Sequence, residues 1–299
     1  MKVLRLVLGD QLNCNHSWFQ SVNPEVTYVM IEARSETEYV NHHIQKVIGI
    51  FSAMREFAAW LNKKGHAVVY LKLNDPAHGR DVGASVLKIA AQHGIHRFEY
   101  QQPDEYRLSQ RLLEISKLFK QFQQVDTEHF ISNLNDFREV FKDRKNYRME
   151  DFYRHMRKKT GVLMRDGKPE GGKWNFDIEN RKRLPPSDIG PMPLLFNRDC
   201  SDIHEMIVDC GVQTIGTVNS KHFLWPVTRQ ESLQLLAFFI DECLPSFGDY
   251  QDAMTPNAWS LYHSRLSFSL NIKLISPLEV IRAVESAFYA NSSRISISQ

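Results

Sequence analysis

Two groups of polar residues have the types and spacing needed to hold a small molecule. The first follows the earliest apolar runs. Gly9-Asp10-Gln11 comes directly after Val3–Leu8, and Glu32 and Glu36 follow Val26–Ile31. Carboxylates and an amide at strand ends accept hydrogen bonds from hydroxyl or ring N–H donors, which suits a polyhydroxylated heterocycle better than a phosphate. Gly9 would let a ligand approach the backbone closely, although Gly9-Asp10 is equally readable as a tight turn that caps the next helix. No GxGxxG follows the first strand and no GxxxxGK[ST] occurs, so a dinucleotide or nucleoside triphosphate is disfavoured. The second group is Tyr262–Phe268 (YHSRLSF). Ser264 and Ser267, three apart, would share the first turn of a helix beginning near His263. Free N–H groups and hydroxyls at such a terminus suit a pyrophosphate, while the plainer reading makes Ser264 an N-cap.

Other combinations carry less. Cys200, His204, Cys210 and His222 match no common zinc spacing, and His42 and His43 are neighbours that point apart on a helix, so no metal site is expected. No GxSxG elbow supports hydrolase chemistry. Cys14, Cys200, Cys210 and Cys243 are scattered without a CxxC pair, which points to a reducing, cytoplasmic setting. Neither a signal peptide nor a membrane-spanning run is read in the sequence.

The elements that would position these residues follow an alternating pattern. Strand-like runs at Val3–Leu8, Val26–Ile31, Ala67–Leu73 and Arg97–Tyr100, with a weaker one around Val125–Ile131, are separated by helical patterns at His43–Asn62, Asp81–His93 and Glu105–Phe122. In the first helix Val47, Ile48, Phe51, Met54, Phe57, Ala58 and Leu61 form one apolar face. Strands joined by helices predict an α/β, doubly wound parallel sheet of Rossmann or flavodoxin-like type over residues 1–135.

A helix-like basic segment, Met149–Lys159, and a Gly- and Pro-rich stretch follow, giving a basic interdomain helix and linker over residues 136–195. From Arg138 to Arg183 fifteen Lys/Arg face eight Asp/Glu, a net +7 in a chain whose total is +2. Such a stretch is either a phosphate-facing surface or a solvated helix. Residues 196–299 read as helical, with a capping-box spelling at Thr228–Glu231 and further helical patterns at Ser264–Ile275 and Leu278–Ala290.

Several longer blocks carry a resemblance. LVLGDQL, YVNHHIQKVIGIFSAMREFA, MEDFYRHMRKKTGVLM, GGKWNFDIENR and FGDYQDAM…YHSRLSFSLN resemble, in order, blocks of the photolyase/cryptochrome superfamily, in its iron–sulfur bacterial cryptochrome and (6-4) photolyase branch. HSRLS is similar to the flavin-binding T-S-x-L-S block. The resemblance implies an antenna domain that binds 6,7-dimethyl-8-ribityllumazine through Asp10, Gln11, Glu32, Glu36 and the surroundings of Ile50. It also implies a helical domain whose FAD phosphates lie against His263, Ser264, Leu266 and Ser267, with Asn271 nearby. The implied chemistry is light-driven repair of damaged DNA by electron transfer from reduced FAD. The lesion would be flipped out of the duplex.

This chain departs from the family pattern in two ways. The family's [4Fe–4S] cysteines match none of the four here, so no cluster is expected, and residues 196–299 would be only the first part of the helical domain. Complete repair by this chain alone is therefore not expected, the alternative being a non-catalytic light-signalling module. Apolar faces such as Leu233, Leu236 and Ile240 would be left uncovered. Second, Lys273 stands where the family usually has glycine. If that position needs a positive φ, the lysine costs on the order of 1 kcal/mol.

Overall fold

The computed structural model describes residues 2–79 and 81–298. Five strands, β1 (Val3–Leu6), β2 (Val26–Ile31), β3 (Ala67–Leu71), β4 (Arg97–Gln101) and β5 (Gln121–Val125), pair in parallel in the order β3-β2-β1-β4-β5. Val3 of β1 sits level with Val26 on one side and Arg97 on the other. Between the strands run α1 (Arg34–Glu38), α2 (Ile44–Lys63), α3 (Val82–His93) and α4 (Tyr106–Ser116). This is the Rossmann-like α/β sheet that the alternation predicts. Its core joins Leu4, Leu6, Val29, Ile31, Val86, Ile89, Phe98 and Leu112.

Local signals set most boundaries. Asp81 caps α3 by accepting from the Ala84 N–H, and Gly94 ends it in the left-handed conformation (φ 62°). The short helix α1 was not expected. The fifth strand lies earlier than its expected place at Val125–Ile131, and α4 stops at Ser116, well before Phe122. The reason is that β5, QFQQV, is an edge strand exposed over most of its length, so it needs little of the apolar alternation that marks a half-buried strand.

The chain forms two compact units. The first comprises the residues up to Glu128 with Leu195–Glu231 and Asn271–Leu274; the second comprises His129–Leu194, Ser232–Leu270 and the residues from Ile275 onward. Besides the sheet, the first unit holds α7 (Ser201–Asp209), which packs on α2. The Thr228–Glu231 capping box forms: the Glu231 N–H donates to Thr228 Oγ1 at 3.2 Å, and the Thr228 N–H donates to Glu231 Oε2 at 3.0 Å. It starts α8 (Arg229–Phe238).

The regular elements of the second unit are mainly helices, among them α5 (Leu134–Phe141), α6 (Met149–Thr160), α9 (Leu244–Tyr250) and α11 (Pro277–Ala290), with a small antiparallel hairpin, Met164–Arg165 with Lys168–Pro169. Its basic charge is partly spent internally. Arg144 pairs with Asp151, Arg154 with Glu150, Lys159 with Asp136 and Lys182 with Asp249, while buried Arg157 donates to the carbonyls of Val162, Leu163 and Trp174. The helix expected over Ser264–Ile275 is reduced to α10 (Ser267–Asn271). Arg265 (φ 56°) and Lys273 (φ 64°) take the left-handed conformation on either side of it, and neither can continue a right-handed helix. Of the apolar residues expected to lie uncovered, Leu233 is exposed, Ile240 is half-buried and Leu236 is buried.

Candidate functional site

The order β3-β2-β1-β4-β5 reverses direction between β1 and β4, and a doubly wound sheet opens a crevice at the carboxyl ends of the strands beside such a switch. A cleft of about 300 Å³ lies there. Its apolar floor includes Leu6, Ile31, Val47, Phe51 and Leu108. The carboxyl groups of Asp10 after β1, Glu36 in α1, and Asp104 and Glu105 after β4 line it, with Tyr39, His42, Lys46, Ile50 and Asn271. Every one of these residues belongs to the first unit.

Electrostatics differentiate the polar groups. Burial raises the Asp10 carboxyl above the usual aspartate range; Lys273 opposes the shift, and Asp104 and Glu36 add to it. Glu36 is held by Arg107, with Nη2 2.6 Å from Oε2 and Nη1 3.3 Å from Oε1. The same guanidinium reaches Glu105 at 3.0 Å and lies 4.6 Å over the Tyr39 ring. Burial and nearby Lys46 lower the His42 imidazole below its ordinary value, so His42 is neutral at neutral pH. Its ring meets Tyr39 edge-on at 4.9 Å. The result is a pocket with fixed acceptors, one neutral imidazole and an aromatic wall. It can accept hydrogen bonds from hydroxyls while covering an apolar ring.

The structure brings Asp10, Glu36 and Ile50 together but not Gln11 or Glu32. Ile31 faces the cleft, and strand alternation turns Glu32 to the opposite face. Glu32 is fully buried there and accepts from Arg55 Nε at 2.7 Å, the Tyr70 hydroxyl at 2.7 Å and the Leu73 N–H at 2.9 Å. Gln11 is buried as a brace: its Oε1 accepts from the Leu8 N–H at 3.1 Å and its Nε2 donates to the Gln101 carbonyl at 3.2 Å. Gly9 serves packing. A Cβ there would come within 2.8 Å of Ile50 Cγ2 and 3.0 Å of Met54 Sδ, so its bareness lets the end of β1 rest on α2. Sequence reasoning missed Asp104 and Glu105, although the strand-end rule that picked Asp10 applies equally to the residues after β4. His42 was weighed only as a metal ligand.

Residues 5–223 match the family model of the deoxyribodipyrimidine photo-lyase-related proteins. This chain belongs to that family. It is 35% identical over 295 residues to a (6-4) photolyase of Agrobacterium fabrum (strain C58 / ATCC 33970), an overlap of 97% of this chain and 57% of that protein. The photolyase-related chain thus spans a little over half the length of that relative. It is also 25% identical over 168 residues to an uncharacterized protein of Acanthamoeba polyphaga mimivirus, covering 53% of this chain and 83% of the viral one. Among the described residues, no helix is long and apolar enough to cross a membrane.

In this photolyase-related chain the second predicted group is arranged differently from the sequence reading. Ser264 and Ser267 do not share a first turn, because α10 begins only at Ser267 and Arg265 breaks the helical path between them. Ser264 Oγ accepts from the Leu266 N–H at 3.4 Å, Leu266 is buried, and exposed His263 has its ring 6.2 Å from that of Phe247. These four residues lie in the second unit, whereas Asn271 lines the cleft of the first. Lys273 has the positive φ at which a lysine costs about 1 kcal/mol relative to glycine. The residue is nevertheless buried, and its ammonium donates to the Asp10 carbonyl at 2.8 Å and to Asp104 Oδ2 at 2.6 Å.

Proposed function

We propose that the chain is the light-harvesting part of a photolyase-type protein that acts on (6-4) photoproducts in DNA, with an antenna chromophore, 6,7-dimethyl-8-ribityllumazine, in the switch-point cleft. The observation that carries this reading is the juxtaposition of Asp10, Glu36, Asp104 and neutral His42 around an apolar floor in a family of photolyase-related proteins. The floor suits a dimethylated ring system. The acceptors suit the hydroxyls of a ribityl tail, and Asn271 offers both a donor and an acceptor. A volume of about 300 Å³ is at the small end of sites for such molecules.

The second unit is proposed to contribute to an FAD site through His263, Ser264, Leu266 and Ser267, on the resemblance of YHSRLSFSLN to flavin-binding blocks. The hydroxyls of Ser264 and Ser267 and the exposed imidazole of His263 can donate to phosphate oxygens, and buried Leu266 can contribute only its backbone. Bound FAD would supply photoinduced electron transfer; the protein's part is to place and tune it. Damaged DNA is the proposed substrate. The basic segment of α6 and the following loop, where Arg154 and Lys158 lie over the Trp174 ring, is the proposed phosphate-facing surface.

The test is the absorption spectrum of the purified chain followed by release and identification of any chromophore. Bound lumazine is the expected result. Flavin in addition would support the second site as well. A chain that stays colourless after incubation with both molecules would sink the chromophore reading and leave family membership alone.

A further inference from the structure

The four residues Asn271–Leu274 belong to the first unit although they come late in the chain, and they are fastened there by several bonds. The Leu12 N–H donates to the Ile272 carbonyl at 3.0 Å, and Arg229 Nη1 donates to the Leu274 carbonyl at 3.0 Å. Lys273 is the most deeply committed member. It has only 1% of its side chain accessible, holds a φ that glycine would adopt without cost, and places its ammonium between the end of β1 and the segment after β4. A glycine would satisfy the backbone alone, so the side chain is what justifies the strained position.

We propose that Lys273 is the positioning and charge-setting residue of the cleft: it ties Asn271–Leu274 across the ends of β1 and β4 as a wall, and it neutralises Asp104 so that the site takes an uncharged, hydroxyl-bearing ligand rather than a cation. The inference rests on the reading of the cleft as a ligand site. The charge balance supports it. Arg107 pairs with Glu36 and Glu105, and Lys273 pairs with Asp104. Asp10 then faces Lys273, Asp104 and Glu36, while His42 and Lys46 line the cleft from α2 and its N-terminal approach. With both cations in place the carboxylates act as hydrogen-bond acceptors without presenting a strongly negative pocket. Without Lys273, Asp10 and Asp104 would repel each other, and the pocket would hold protons or cations instead.

Two substitutions separate charge from backbone in the whole chain. Lys273→Gly suits the positive φ but removes the cation; Lys273→Met keeps the buried stem. Binding of 6,7-dimethyl-8-ribityllumazine would be followed by fluorescence from about pH 5 to about pH 9, alongside an NMR titration of the Asp10 carboxyl carbon in the ligand-free chain. Both variants are expected to bind about tenfold more weakly at neutral pH, with the acid limb of binding and the Asp10 titration moved up by about one pH unit. An affinity and pH limb in Lys273→Gly equal to the wild type would overturn the proposal. So would a loss of affinity in both variants with the limb and titration unmoved, which would mark a purely structural lysine. Should the wild-type chain bind no lumazine, the reading of the cleft fails, and the ligand-free titration decides Lys273 alone: an upward move supports it and an unmoved Asp10 rejects it.

Discussion

Helix α2 of the first unit and helix α11 of the second carry the same kind of apolar stripe, and α11 also opens with a complete capping box between Ser276 and Glu279. Yet α2 buries eleven residues, and none of α11 is buried. The second unit also exposes Met149, Met192, Met254 and Trp259, while the large buried side chains Tyr28, Tyr100, Phe98 and Leu61 lie in the first. Capping and periodicity decide where a helix forms; what the helix covers decides how much it stabilises. The first unit has a sheet for its helices to cover, with a cleft built into the top of that core. The second has helices whose stripes stay partly wet, which makes it the unit more open to a partner or to loosening.

The sharpest way to break this contrast is to remove one aromatic ring from each unit. Phe98→Ala, on β4 beside the central strand with a fully buried ring, should lower stability by about 3–5 kcal/mol. Phe288→Ala, half-buried on α11, should cost about 1 kcal/mol. Urea denaturation monitored by far-ultraviolet circular dichroism compares them, and equal losses would show that the apolar stripe of α11 is as well covered as the sheet. Next in size is the cleft. Ile50→Trp fills it from α2 and is expected to abolish lumazine binding while the melting temperature shifts by only a few degrees, since Ile50 is half-buried at the cleft rather than in the core. Lumazine retained at full occupancy would place the chromophore elsewhere.

How much of this was legible in the sequence follows from the same contrast. Strands β1, β2 and β4 and helices α2 and α3 were readable because each is largely buried or buries one face, and burial is what writes apolar runs and periodicity into a sequence. Strand β5 was misplaced because an edge strand need not be apolar. Asp10, Glu36 and Ile50, expected from the strand-end rule and from the resemblance, line the cleft. Glu32 lies outside the cleft, because proximity in sequence does not reveal which face a side chain takes once the strand has ended. The ion pair of Lys273 with Asp104 joins residues far apart in the chain, and no local pattern announces it. The break at Arg265 was hidden for a related reason: a positive φ at a residue other than glycine leaves no mark in the sequence.

A smaller effect tests the electrostatics of the cleft without disturbing its shape. Burial raises the Asp10 carboxyl in the folded chain, so Asp10 takes up a proton at a higher pH than an unfolded aspartate would. Lumazine binding that needs the ionised acceptor should therefore weaken as pH falls through the Asp10 titration. Asp10→Asn should flatten that limb and weaken binding at neutral pH by about tenfold. The stability consequence has the opposite sign. The folded state holds the proton more tightly, so Asp10 costs stability as pH rises from the ordinary aspartate value through its raised one, and the asparagine variant should be as stable as the wild type or slightly more so at neutral pH. A variant less stable at neutral pH would mean that the carboxylate is better satisfied than its burial suggests.

The smallest expected effect returns to the second unit. Ser264 and Ser267 lie on either side of the left-handed Arg265 rather than on one helical turn, so they cannot act together as a preformed anion site. Each can still donate one hydrogen bond to a phosphate oxygen, worth about 0.5–1.5 kcal/mol. Changing both to alanine should then weaken FAD binding by roughly tenfold, measured by flavin fluorescence, with each single variant giving about the square root of that loss because the two hydroxyls act independently. Strong non-additivity would show that flavin straightens the segment into the single turn its sequence spells, making this the part of the second unit that a ligand orders; unchanged binding in the double variant would remove both hydroxyls from the site.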